Sequence, residues 1–226
     1  MKKILVLILA VALGSATFAQ QSETRNVGTF KGIKAAEAID VYLKKGEKES
    51  VRVEATGVKL SDVLTEVSGS YLKIHMEDGN YRNKNVKVYV TYVNLDKISV
   101  SSASNVFSEG VIKATNMDLS ASSAGSIEIS LDAENVLVEA SSAGDITLEG
   151  KGKRLEVEAS SAGDIDAYNF ECEIVEAQVS SAGSAKISVT KEINAHASSG
   201  GSIRYRGNPS RSNTDSSSGG SVKKSN

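Results

Sequence analysis

The sequence predicts an all-β protein: a right-handed parallel β-helix (solenoid) with ~19-residue coils and a less regular N-terminal β block or cap. Three observations carry this. A serine–glycine motif recurs seven times at near-constant spacing, an apolar/polar alternation of period two runs through its copies, and helix signals are scarce in a chain with 19 Gly and one Pro.

In chain order, residues 1–19 have the pattern of a signal peptide. Lys2 and Lys3 form a charged start, Ile4 to Leu13 an apolar run, and Thr17 and Ala19 the small residues of a cleavage site. The apolar run falls short of the roughly twenty residues that cross a bilayer. Cleavage near Gln20, export and no later membrane insertion are therefore expected. No cysteine follows the signal to carry a lipid, and the only Cys, Cys172, can form no disulfide within the chain. In FECEIVEA it reads as a small buried apolar residue. Without Lys2 and Lys3 the chain has 24 basic and 28 acidic residues, a net of −4. That balance argues against nucleic acid and against electrostatic binding to a membrane surface.

Residues 20–100 form the N-terminal block. IDVYLKKGEKESVRVEA (39–55) alternates as two strands across a charged, glycine-containing turn, and VSGSYLKI (67–74) and NVKVYVTY (85–92) add further strands. GVKLSDVLTEV (57–67) is the one stretch with a helix-like pattern. VSGSYLKI echoes SSAGDITL, so the block is either a cap or a set of degenerate coils continuous with the regular ones. Some cap is needed, because an open β-helix end exposes unpaired backbone.

Residues 101–226 are the regular coils. The first serine of the motif stands at 101, 122, 141, 160, 180, 198 and 217, and the copies run from SSASN through SSAGS and SSAGD to SSGGS. Counting from that serine, odd offsets are apolar: Val138 and Val157 three before, Ala140 and Ala159 one before, Ile127, Ile146 and Ile165 five after. Even offsets are polar, as in Glu139, Glu158, Gln178 and His196, or Glu128, Thr147, Asp166, Lys186 and Arg204. Such a unit cannot bury its inner face alone. Stacking coils at ~4.8 Å through parallel hydrogen bonds solves this. The corner glycines, Gly125, Gly144, Gly163, Gly183, Gly201 and Gly220, are expected to supply φ > 0. The second serines, Ser123, Ser142, Ser161, Ser181 and Ser199, fall on the inward parity and are expected to form a hydroxyl ladder inside the corner. Lys223 and Lys224 are expected to blunt the last coil's edge.

Candidate sites are few. Glu139 with Glu158, and Asp145 with Asp164, should stack in adjacent coils, where two carboxylates could hold a cation or act as an acid/base pair. Repulsion at that spacing in water is only about 0.8 kcal/mol, so a solvated ladder needs no ion. His75 and His196 lie far apart with no metal-ligand cluster around either. Tyr81, Tyr89 and Tyr92 could line a sugar patch. No phosphate loop, dinucleotide fingerprint or nucleophile elbow occurs. The sequence therefore assigns no catalytic, cofactor-binding or metal residue, and leaves the ligand-binding residues open.

The chain resembles the family of putative auto-transporter adhesins with a head GIN domain. The resemblance rests on RNVGTFKGIKAAEAIDVYLKKGEKESVRVEA at 25–55, with Phe30, Gly32, Ile33, Asp40, Val41, Gly46, Val51 and Val53 at recurrent positions. GSYLKI, LDKISVSSASNV, the serine–glycine coils and YRGNPS continue it. It implies an exported bacterial β-solenoid of Gram-negative type, with adhesion suggested and no established catalytic residues. The expected function is a non-enzymatic surface or periplasmic binding and scaffold module without cofactor, whose stacked polar columns are offered to a glycan or cell-envelope protein. A polysaccharide-active enzyme on the same fold and a self-associating envelope protein stand as alternatives.

Overall fold

The computed structural model describes residues 20–225, so the expected signal peptide at 1–19 lies outside the described residues, as does Asn226. The first strands are β1 (Gln21–Arg25), β2 (Gly32–Ala35), β3 (Asp40–Lys45), β4 (Ser50–Thr56), β5 (Val63–Ser68), β6 (Tyr71–Met76), β7 (Asn85–Tyr92) and β8 (Lys97–Val100). Five long strands come next: β9 (Asn105–Ala121), β10 (Ser126–Ala140), β11 (Asp145–Ala159), β12 (Asp164–Val179) and β13 (Ser184–Ala197). The chain closes with β14 (Ser202–Arg206), β15 (Arg211–Ser216) and β16 (Ser221–Lys224).

β9 to β13 are parallel and in register, so like side chains stack: Ile127 on Ile146 on Ile165, and Val138 on Val157 on Ala177. Each long strand runs from one corner to the next and bends midway. In β10, Leu131 and Ala133 point inward, Glu134 and Asn135 both point outward, and Val136 points inward again. This break in phase divides the coil into two legs that bury one continuous aliphatic core. The parallel solenoid expected from the repeat is what the chain forms.

The corners overturn two expectations. The glycines meant to supply φ > 0 do not; the two residues before them do, as in Ser123 (φ 50) with Ala124 (φ 59) and Ser161 (φ 49) with Ala162 (φ 62). The Gly125 N–H donates to the Ser122 carbonyl at 2.9 Å, making a tight turn whose central residues are both left-handed, the mark of type I′. In the last two corners Gly200 (φ 75) and Gly219 (φ 77) take the second of these places. The following glycine serves close approach: a Cβ on Gly125 would stand 2.9 Å from the Val100 carbonyl oxygen. The second serines are exposed, because the left-handed turn swings them off the inward parity. Their carbonyls, not their hydroxyls, link the layers: Ala143 N–H donates to Ser161 and Ala162 N–H to Ser181, each at 3.2 Å.

Part of the N-terminal block extends the solenoid, out of chain order. β2 and β3 flank one more corner, with Glu37 (φ 70) and Ala38 (φ 55) left-handed. They lie parallel on β8 and β9, pairing Ile33 with Ile98 and Val41 with Val106. On their other side β6 and β7 form a further parallel rung. The end is closed by antiparallel strands: β4 on β7, β1 on β4, and β5 on β6. The two strands of 39–55 are separated by β7 rather than paired with each other, and the helix-like 57–67 makes one 3₁₀ turn (Leu60–Asp62) before β5. At the far end β15 places Ser212, Thr214 and Ser216 over Ile193, Ala195 and Ala197, so this leg of the last rung is polar where inner rungs are aliphatic, while Val222 on β16 still stacks on Ile203. Lys223 and Lys224 stand exposed on β16 in this last rung, where charge discourages further strand addition.

Candidate functional site

The midway bends align into a groove of about 930 Å³ that crosses successive rungs, from Asn94 and Asp96 at one end to Thr190 at the other. Its floor uses small side chains: Ala114, Ala133, Gly152 and Cys172 stack in register. Gly152 is small because Phe170 fills the core beside it; a Cβ there would stand 2.8 Å from the ring. Cys172 is buried, its thiol 3.4 Å from the Ile174 carbonyl, and burial pushes its pKa up to about 11. That is the inert behaviour expected of it.

The groove walls alternate in sign from rung to rung. One column runs Lys113, Asp132, Lys151, Glu171. Near it, Lys153 bridges Glu134 and Lys191 bridges Glu173, each at 2.8 Å, and Lys151 stands 3.8 Å from Asp132. Opposite charges thus neutralise one another along the wall. Uncharged hydrogen-bonding groups lie towards the ends of the wall: Thr115 and Asn116, whose Oδ1 accepts from Asn135 Nδ2 at 2.9 Å, and Thr190, whose hydroxyl donates to the Cys172 carbonyl at 3.2 Å.

The sequence-predicted residues are only partly brought together. Glu139 stacks on Glu158, and Asp145 on Asp164. Among the described residues no group of three or more His, Cys, Asp and Glu could hold a metal ion. His196 Nδ1 lies 3.0 Å from Asp215 Oδ2 on the next rung, whereas His75 sits on β6, 3.8 Å from Glu66. The tyrosine cluster is corrected: Tyr92 is buried, Tyr81 lies in the 77–84 loop, and only Tyr89 joins an aromatic stack.

That stack was not anticipated. Tyr42 lies 5.1 Å from Tyr89 and 5.3 Å from Phe107, near-parallel to both, and the Arg52 guanidinium covers Tyr89 at 4.0 Å. In-register strands force these rings face to face, so their faces are spent on one another and mainly their edges reach solvent. A sugar ring stacks on an exposed face; this ladder instead stabilises the junction of cap and coils. The signal that could have revealed it is the parity around Ala36, which places Tyr42 in the same column as Phe107.

Comparison with known proteins gives a consistent picture. The family model described as "Putative auto-transporter adhesin, head GIN domain" matches residues 29–209. A search of the curated proteins finds no match. A solved structure described as a putative adhesin from Bacteroides fragilis is similar over 92% of this chain and 98% of its own, with TM-score 0.84 and 21% identity. A putative adhesin from Parabacteroides distasonis is similar over 92% and 97%, with TM-score 0.72 and 19% identity. A putative lipid binding protein from the same organism is similar over 92% and 97%, with TM-score 0.68 and 18% identity. At these identities the likeness concerns the fold.

Proposed function

This chain belongs to the family described as putative auto-transporter adhesin, head GIN domain, and from that membership we propose an exported, non-enzymatic binding module of the bacterial cell envelope. Its ligand is a glycan chain lying along the groove across the rungs. The supporting observation is the alternation of charge on the groove walls, with Lys153 bridged to Glu134 and Lys191 to Glu173. A wall neutralised in this way attracts a polyion weakly. Its uncharged amide and hydroxyl groups, Thr115 and Asn116 towards one end and Thr190 at the other, suit an uncharged, polyhydroxylated polymer. An envelope protein presenting an extended segment is the second occupant the groove would accept.

A glycan array probed with the purified protein tests this, with Thr115→Trp as the comparison because its bulk would fill the exposed rim. Capture of neutral glycans by the wild type and its loss in Thr115→Trp is the expected result. Capture of none, or capture that Thr115→Trp leaves unchanged, would remove the groove as the site. Incubation with polysaccharides adds a second arm: release of new reducing or unsaturated ends would defeat the non-enzymatic reading.

A further inference from the structure

The leg after each corner carries a charge pattern separate from the groove. Its central outward column climbs Glu128, Thr147, Asp166, Lys186, Arg204, Lys223. On one side Asp145 and Asp164 give way to Ser184, Ser202 and Ser221; on the other side stand Glu149 and, farther along, Arg206. Acidic groups thus hold the rungs nearer the capped end and basic groups the rungs nearer the C-terminal end. Asp166 and Lys186 meet at the change of sign, bridged at 2.8 Å. Among the described residues Glu128, Glu149, Arg204 and Lys223 have no ion-pair partner, and like charges on adjacent rungs repel.

We propose that this face binds a second copy of the same chain, lying antiparallel to the first. A two-fold axis in the plane of contact, directed along the strands between the Asp166 and Lys186 rungs, reverses the order of rungs and keeps each column opposite itself. Glu128 then faces Lys223 of the second copy, Thr147 faces its Arg204, and Asp166 faces its Lys186. In the flanking columns Glu149 faces Arg206, Asp145 faces Ser202 and Asp164 faces Ser184. No column sets like charges opposite one another. An axis along the stack would set Glu128 on Glu128 and Lys223 on Lys223, and repulsion excludes it. The six rungs that face one another, from Ser126 to Ser221, make the face ~24 Å tall and ~20 Å wide, or roughly 500 Å² per copy from strand spacings. That is somewhat below the ~800 Å² per partner of ordinary specific interfaces. The pairing should be reversible and salt-sensitive.

Sedimentation velocity over a concentration series, at low and high ionic strength, tests the pairing. Wild type should form a dimer at low ionic strength that dissociates as salt rises. Arg204→Glu with Lys223→Glu makes the face acidic; Glu128→Lys with Thr147→Lys makes it basic. Each double variant alone should dimerise at least about tenfold more weakly, since like charges then oppose across the axis. An equal mixture of the two should recover a dimer, because every altered position again faces its opposite. All four positions are exposed or half-buried, and melting curves check that the fold is kept. Wild type that stays monomeric at low ionic strength, or a dimer indifferent to both double variants, would overturn the proposal. So would a monomer whose basic rungs instead capture polyglutamate.

Discussion

Gly183 lies so close to the carbonyl of Ala159, one rung away, that a Cβ there would stand 2.8 Å from its oxygen. The obstacle is backbone held by hydrogen bonds on both sides, so it cannot swing away as a flexible side chain would. Gly183→Ala should therefore lower unfolding free energy by about 3 kcal/mol, the upper range for overpacking. Gly163→Val, against the Ala140 carbonyl, should cost more. Urea unfolding checks both; wild-type stability in Gly183→Ala would mean that neighbouring corners separate freely.

The left-handed residues predict the opposite outcome. Ala162 has φ 62, a conformation that costs an L-residue with a Cβ about 1 kcal/mol. Ala162→Gly removes that cost, offset in part by the greater freedom of glycine in the unfolded chain. A small gain in melting temperature is expected. A loss would show that the alanine methyl contributes packing that outweighs the backbone strain.

How much of this was legible in the sequence depends on what each residue reports. Period and parity were legible because Val138, Val157 and Ala177 must all point inward for any coil to bury its face. The division of labour in the corner was not, since smallness alone does not say whether Ala162 or Gly163 carries the positive φ. The corner at Ala36–Ile39 escaped notice because it has neither serine nor glycine, although Ile33 and Val41 keep the parity. The groove was illegible for a different reason: KATN, DAEN and KGKR share no motif. Their alternating signs appear only once register sets Lys113 beside Asp132 and Asp132 beside Lys151.

Ser104 is the one corner residue whose hydroxyl is fully buried, and it accepts the Ile39 N–H at 3.1 Å. It stands where later corners have glycine. Ser104→Ala would leave that buried donor unpaired and should cost about 1–3 kcal/mol. Ser161→Ala, at an exposed hydroxyl, should be close to neutral. Chemical denaturation of the two variants side by side provides the check, and equal stabilities would contradict the assignment.

Asp145 gives a pH dependence of known sign. Burial of its carboxyl, then the carboxylates of Asp164 and Asp166, raise its pKa above 3.8, with Lys186 opposing and Glu128 adding to the rise. A carboxyl with a raised folded pKa holds its proton more tightly when folded. Its contribution is complete below the unfolded value and is lost as pH climbs through the folded one. At neutral pH the ionised Asp145 therefore weighs against the fold. Asp145→Asn should match or exceed wild-type stability at neutral pH, the difference shrinking towards acid. Melting curves across pH decide it; a less stable Asn variant at neutral pH would refute the reasoning.

Arg25 ties the two sides of the cap together. From β1 its guanidinium donates to the Val63 carbonyl at 2.6 Å, the Leu60 carbonyl at 2.7 Å and the Thr65 hydroxyl at 3.0 Å, while its Nε meets Glu23 at 2.9 Å. β5 is ladder-bonded only to β6, so this fork occupies part of its open edge. Lysine cannot reproduce it, because an ammonium lacks the planar set of donors. Arg25→Lys should therefore loosen β5 and the 3₁₀ turn without touching the coils. Hydrogen exchange across Val63–Ser68 should quicken while β10 to β12 keep wild-type protection. A uniform change along the chain would instead mean that cap and coils open as one unit, and an unchanged β5 would mean that the β6 ladder alone holds it.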